Sequence, residues 1–233
     1  MEAIIHLENV TKDYGEGEVV VHALRGVDFE LHPGEMAAVA GPSGSGKSTL
    51  LNVISGLDQP SGGKVFVDGR DVTTLSRSQL SRLRLERIGF VFQSYNLLPV
   101  LTAYENAEYV LLMQGVEAKR RRERVMGLLE QVGLADKADR FPRELSGGQQ
   151  QRVAIARAIA AEPALVLADE PTANLDSKTG GALLDLMGRL NEDKGITFLF
   201  STHDRNVMER AKRLVLLRDG QIAENGTAEL LHG

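Results

Sequence analysis

Gly41-Pro42-Ser43-Gly44-Ser45-Gly46-Lys47-Ser48 decides how the rest of the chain is read. It fits the pattern G-x-x-x-x-G-K-[ST] and sits between the apolar run Met36 to Ala40 and a helical pattern starting near Lys47. Glycines let consecutive backbone N–H groups turn inward around an anion. Lys47 adds a point charge for outer phosphates, and the Ser48 hydroxyl is a hard oxygen suited to Mg²⁺. The following helix aims its positive N-terminal end at the same place. Gly41, Ser43, Gly44, Ser45, Gly46, Lys47, Ser48 and Thr49 are therefore the candidate phosphate-binding set.

Two further stretches carry chemistry. Leu165 to Ala168 is a continuous apolar run ending in Asp169-Glu170. An acidic pair there lies where parallel sheets present ligands. Asp169 can hold Mg²⁺, directly or through water, and Glu170 can take a proton from a water attacking the γ-phosphate. Upstream, Leu145-Ser146-Gly147-Gly148-Gln149 reads as a capped helix start whose glycines bare the first N–H groups, a second anion site in one chain.

The totals bound the rest. With 233 residues, 42% hydrophobic and 25% charged, the chain can bury a full core. The absence of cysteine excludes disulfides, cysteine–zinc sites and a thiol nucleophile, which suits a reducing compartment. A net charge of −5 lacks the footprint of a nucleic-acid binder. Met1 to His6 does not read as a secretion signal, and no apolar run approaches the length needed to span a bilayer. Any membrane role must then come through a partner.

In chain order, Ile4 to Val10 reads as a strand ending at Lys12 to Gly15. Val19 to Leu24 and Val27 to Leu31 read as two short strands broken by Arg25-Gly26. Leu50, Leu51 and Ile54 share a helix face that stops at Gly56, and Asp68-Gly69 marks a hairpin. Ser78 to Arg87 is a short basic helix before the β-rich run Ile88 to Phe92. Thr102-Ala103-Tyr104-Glu105 is a capping box, and Val125, Leu128, Leu129 and Val132 line one helix face. Lys119 to Arg122 reads as a solvated helix start. Sheet chemistry resumes with Leu165 to Ala168, a helix through Leu183, Leu186, Met187 and Leu190, the strand Ile196 to Ser201, and a hairpin turning at Asp219-Gly220. The alternation argues an α/β fold with helices on both faces of the sheet. A helical insertion over residues 94–163 divides a core made of 1–93 and 164–233.

The order of these motifs resembles the nucleotide-binding subunits of ABC transporters over nearly the whole chain. It runs phosphate loop, Gln93, Leu-Ser-Gly-Gly-Gln, Asp169-Glu170, the turn Asn174-Leu175-Asp176, then His203. The resemblance implies a P-loop NTPase (RecA-like) core with an N-terminal antiparallel β part and an inserted helical subdomain. It implies ATP and Mg²⁺ as ligands and a head-to-tail dimer of two copies, each ATP lying between one copy's loop and the other's signature. By carry-over Ser146, Gly147, Gly148 and Gln149 form that signature, with Ser146 and Gly148 on the γ-phosphate. Gln93 resembles the glutamine that senses Mg²⁺, beside Ser48 and Asp169 in the metal set. His203 resembles the histidine that keeps the water and Glu170 aligned, Tyr14 the aromatic stacked on adenine, and Asp176 a bridge between subunits. Lys47, Gln93, Glu170 and His203 are the candidate catalytic set.

The expected role is a transporter motor, cytoplasmic and peripheral on the inner face of the cell membrane, acting on integral membrane permease subunits. The segment Tyr95 to Leu101 is apolar enough either to receive a helix from such a subunit or to pack inside the helical insertion. The resemblance is greatest to the bacterial lipoprotein-releasing and macrolide-exporter subgroup, with a cell-division ATPase of that subgroup as an alternative. Soluble ABC-type ATPases acting on nucleic acid or ribosomes need a long coiled coil after the loop or two cassettes, and the sequence has neither. A P-loop kinase is a third option, opposed by the signature.

Overall fold

The computed structural model describes residues 2–15 and 20–227; the expected strand onset at Val19 lies outside them. The first strand, β1, runs Ile5–Tyr14, longer than the sequence suggests. It pairs antiparallel with β2, Val21–Leu31. Arg25-Gly26 does not break β2 in two. Gly26 takes φ +73°, Asn9 opposite takes φ +47°, and the register shifts on both sides of Val10. The pair bulges there and continues. A Cβ on Gly26 would fall 2.8 Å from Asn9 Oδ1, so the bulge needs glycine.

β3 (Met36–Ala40) leads through the phosphate loop into α1 (Lys47–Ile54). Then come β4 (Gly62–Val67), β5 (Arg70–Asp71), α2 (Arg77–Arg87) and β6 (Ile88–Val91). The helical stretch holds α3 (Ala103–Met113), α4 (Ala118–Gln131) and α5 (Gly147–Ile159). The chain closes with β7 (Leu165–Asp169), α6 (Ser177–Lys194), β8 (Thr197–Thr202), α7 (Arg205–Arg210), β9 (Arg213–Arg218) and β10 (Gln221–Gly226). The capping box at Thr102 and the cap at Ser146 form as the sequence indicates, the latter as a full box with Gln149, and the hairpin turns at Asp68-Gly69 and Asp219-Gly220 adopt positive φ.

A four-stranded antiparallel sheet has the order β2-β1-β4-β5, and a six-stranded sheet the order β10-β9-β3-β8-β7-β6. In the second sheet only β10 runs antiparallel to its neighbour. Its central strands alternate between two cores. Met36, Ala38, Ala40, Phe198 and Phe200 face a core shared with α3, α4, α5 and α6, whereas Ala37, Val39 and Leu199 face α1 and the antiparallel sheet. Burial on both sides explains why these strands read as unbroken apolar runs. The parallel pairing of β3, β8 and β7 places their C-terminal ends, and with them the phosphate loop, Asp169-Glu170 and His203, along one edge.

The basic run on α4 departs from expectation at one position. Lys119, Arg120 and Arg122 are exposed, but Arg121 turns inward to Glu108 at 2.8 Å, with both side chains 16% exposed.

Candidate functional site

The phosphate loop closes under tight steric limits. A Cβ on Gly41 would lie 2.1 Å from the Leu217 carbonyl oxygen, and one on Gly46 would lie 2.5 Å from that of Ala23. Gly46 holds φ +104° as the residue before α1. Gly44, at φ +79°, has nothing within 4 Å of a built Cβ, so its side stands open for a ligand. Lys47 is buried, and its Nζ donates to the Gly41 and Pro42 carbonyls at 2.8 and 2.9 Å. The amine is thus held at the loop's centre. Ser45 is buried, its Oγ included, and Gly41 is half-buried.

Around the loop is a cleft of about 900 Å³ whose lining includes Ser43, Gly44, Gly46 to Thr49, Gln93, Glu170 and His203. A larger cavity of about 1000 Å³ opens among the loops that precede the parallel strands, and none of the candidate site residues lines it. The chemistry belongs to the first cleft.

Asp169 and Glu170 diverge as adjacent residues at a strand end should. Asp169 Oδ1 accepts from Ser48 Oγ at 3.1 Å and from Ser201 Oγ. Two hard oxygens that close, with Gln93 lining the same cleft, fit Mg²⁺, which takes few protein ligands and keeps its waters. Glu170 sits at φ +46°, rare for a residue with a side chain, and its N–H donates to the Ser201 carbonyl at 2.9 Å. That turn sends its carboxylate toward His203, where Oε1 meets Nδ1 at 2.7 Å. Glu170 is 12% exposed and His203 67%, so the carboxylate is sheltered and its partner faces the cleft.

Tyr14 lies at the end of β1 outside the lining of that cleft. Its hydroxyl donates to Asp58 Oδ2 at 2.8 Å, and Lys12 Nζ stands 4.8 Å from its ring centre. Burial and the Asp58 carboxylate raise the phenol's pKa above its ordinary value. Asp58 is pushed up by burial, but hydrogen bonds from Lys12 and Tyr14 outweigh this and hold it below the usual aspartate value.

The signature lies in a separate cleft lined by Ser146, Gly148, Gln149, Arg152, Thr179 and the turn Gly133-Leu134. Ser146 Oγ accepts from Gln149 N at 3.3 Å, and Gln149 Oε1 accepts from Ser146 N at 3.0 Å. Gly147 and Gly148 do more than bare N–H groups. A Cβ on Gly147 would meet the Tyr95 hydroxyl at 2.7 Å, and one on Gly148 would meet Thr179 Cγ2 at 2.3 Å. Within the chain Asp176 caps α6. It accepts from Thr179 Oγ1 at 2.6 Å and from the Thr179 and Lys178 N–H groups, and these bonds, the hydroxyl's foremost, lower its pKa.

Sequence reasoning missed the residues that fasten these loops together. Thr172 Oγ1 donates to Asp204 Oδ2 at 2.9 Å, joining the segment after Glu170 to the residue after His203. Asn174 Nδ2 donates to the Gln93 carbonyl at 2.8 Å. Gln151 Nε2 reaches the Pro171 and Phe92 carbonyls at 2.8 and 3.4 Å. Arg157, its pKa lowered by burial, holds the Tyr95 and Asn96 carbonyls. One signal was available: Gln151 shares the helix face of Ala154, Ile155 and Ala158, and a polar residue on such a face needs a buried partner.

Comparison with known proteins gives one consistent result. Residues 24–173 match the family model described as ABC transporter. An uncharacterized ABC transporter ATP-binding protein of Thermotoga maritima is 50% identical, covering 95% of this chain and 94% of its own. A macrolide export ATP-binding/permease protein, MacB, of Marinobacter nauticus is 46% identical over 97% of this chain, which spans only 35% of that longer protein. Among solved structures, the dimeric post-hydrolysis state of the ATP-binding cassette MJ0796 of Methanocaldococcus jannaschii, bound to ADP and Pi, superposes with a TM-score of 0.89. It is 43% identical and covers 96% of this chain and 98% of that one.

Proposed function

The chain belongs to the ABC transporter family, and from that premise we propose how its ATPase works: two copies pack head to tail, each completing the other's ATP site. It is an ATP-hydrolysing subunit of a membrane transporter. The observation that carries the dimer is the separation of its anion sites. The loop cleft and the signature cleft have no lining residue in common, so one chain presents two unlike half-sites. A twofold pairing converts them into two complete sites. The dimeric state of MJ0796 supports the same reading.

In each site the loop N–H groups and Lys47 hold the β- and γ-phosphates, while Tyr14 takes the adenine. Ser48 and Asp169, with Gln93, hold Mg²⁺, which neutralises phosphate charge when bound. Glu170 receives the proton of the attacking water, and His203 orients its carboxylate. Ser146 and Gly148 of the second copy cover the outer face of the γ-phosphate, where charge spreads in the transition state. Closure excludes water and strengthens every one of these contacts. Hydrolysis removes the γ-phosphate that bridges the copies and reopens them.

The helical subdomain, residues 94–163, carries both the signature and the surface that meets the permease. Leu98 and Val100 are 40% and 77% exposed, and Tyr109, Leu112 and Met113 expose a further apolar row on α3. These suit a helix from a membrane subunit, whereas Leu97 beneath them packs on the core. Among the described residues no helix is long and apolar enough to cross a membrane, so attachment to the inner membrane face runs through that partner. The MacB match favours a macrolide-export or lipoprotein-release type of transporter over a cell-division complex. A soluble ATPase acting on nucleic acid or ribosomes is the weaker alternative.

Mixing two inactive variants tests the arrangement. A Lys47→Ala chain and a Ser146→Arg chain each form homodimers without an intact site. A mixed dimer regains one, so mixing restores occlusion of one ATP per dimer. If mixtures bind and hydrolyse no more than either variant alone, the head-to-tail reading fails.

A further inference from the structure

Gln93 sits on a linker with little regular structure of its own, yet that linker is held along its length. Of the five carbonyls from Phe92 to Asn96, four accept hydrogen bonds from distant side chains. Phe92 is held by Gln151, Gln93 by Asn174, and Tyr95 and Asn96 by the two arms of Arg157. Tyr95 and Asn96 both adopt positive φ, +62° and +47°. Two successive non-glycine residues in this conformation persist only where neighbours over-determine them. A planar guanidinium gripping both carbonyls supplies that constraint. Tyr95 also reaches the start of the signature helix, where its hydroxyl lies 2.7 Å from a Cβ built on Gly147.

We propose that Arg157 and Gln151 are positioning residues for hydrolysis, fastening the Gln93 linker to the signature helix α5. Gln151 extends the grip to the Pro171 carbonyl at 2.8 Å, one residue beyond Glu170. When the signature end of α5 moves onto a partner's nucleotide, the linker moves with it. Gln93 then enters the cleft in step with Glu170. A lysine at 157 keeps the charge but cannot hold two carbonyls in one plane. The inference rests on the metal-sensing role given to Gln93 above.

The chain has no cysteine, so a nitroxide on Ser94→Cys reports linker mobility without background. Added to that labelled chain, Arg157→Lys frees the label, lowers kcat about tenfold and raises the Mg²⁺ needed for half-maximal hydrolysis by a similar factor. Metal-free ATP binding stays within about twofold, because the phosphate loop is untouched. A purely structural arginine would instead lower the melting temperature and leave the Mg²⁺ requirement alone. Should Arg157→Lys fail to fold, Gln151→Leu releases the Phe92 and Pro171 end of the same grip and is read identically. An immobile label, or a freed label with parental turnover and Mg²⁺ dependence, overturns the proposal. Gln93→Ala separates the two levels. Parental hydrolysis there refutes the role of Gln93 itself, whereas slow Gln93→Ala beside parental Arg157→Lys refutes only the grip.

Discussion

Glu170 Oε1 and His203 Nδ1 meet at 2.7 Å across two parallel strand ends, and Glu170 holds a left-handed backbone at φ +46° to make that contact. The conformation costs on the order of 1–2 kcal/mol for a residue with a Cβ. It sends the carboxylate to the histidine while the neighbouring Asp169 stays with Ser48 and Ser201. Two adjacent acids are thereby turned to different partners, as the proposed roles of metal ligand and base require. Replacing Glu170 by Gln keeps the shape and removes the base, so turnover should fall about a hundredfold or more. Mg-ATP should then hold the chain as a dimer on size exclusion. A monomeric Glu170→Gln protein, or one hydrolysing at the parent rate, contradicts the assignment.

Gly148 packs against Thr179 and, in the proposed dimer, faces the partner's nucleotide; a compensating change separates the two. Gly148→Ala drives its methyl into Thr179 Cγ2, 2.3 Å away, and overpacking of this kind costs about 1–3 kcal/mol. Thr179→Ser deletes that methyl and keeps the hydroxyl that serves Asp176. The double variant should recover the parent's melting temperature. Its ATP-driven dimerisation should remain weak, because the new methyl still covers N–H groups meant for the partner's nucleotide. Full recovery of dimerisation would assign Gly148 to packing alone.

Most of this arrangement can be read in the sequence where one residue type has one physical use. The loop glycines, the apolar strands buried on both faces and the helix caps at Thr102 and Ser146 are of that kind. Arg25-Gly26 reads as a break because a glycine ends a strand as readily as it bulges one; the register shifts on both sides of Val10 show a bulge instead. The short helix Arg205–Arg210 has too few residues for periodicity and depends on its Asp204 cap. The side chains that grip the Gln93 linker lie between 59 and 81 residues from the carbonyls they hold, and no local pattern announces such contacts. Gln93 and Glu170 could be named from motifs, but the apparatus that places them could not.

Asp58 makes the site's support sensitive to acid. Its folded pKa is depressed, so it contributes stability above the ordinary aspartate value of about 3.9 and loses it as the pH falls through the folded value. Asp58→Asn removes that titration. Denaturant midpoints of parent and variant should differ at pH 7 and converge as the pH drops below about 4. A gap that widens in acid would reverse the sign and dismiss Asp58 as the anchor of Lys12 and Tyr14.

Asn106 decides whether the exposed apolar segment is a built surface. It is fully buried; its Oδ1 accepts from Leu98 N at 2.8 Å, and the two hydrogens on Nδ2 are shared among the carbonyls of Leu98, Leu101 and Thr102 at 3.1, 3.0 and 2.9 Å. No apolar residue can replace those bonds, and each backbone group left unpaired in the interior costs about 1–3 kcal/mol. Some of that loss is recovered by local opening, so Asn106→Leu should destabilise the protein by about 2–4 kcal/mol in denaturant titration. The loss should concentrate in residues 98–102, because Leu98 N–H and the Leu101 carbonyl lose their partner there, while the Leu98 and Thr102 carbonyls keep the Leu101 and Asn106 N–H groups. Hydrogen exchange at Leu98 should accelerate far more than in β3 or β8. ATP binding should survive while stimulation by a membrane partner falls, since the phosphate loop lies in the other core. Uniform acceleration across both cores would mean that Asn106 supports the whole fold and not this surface.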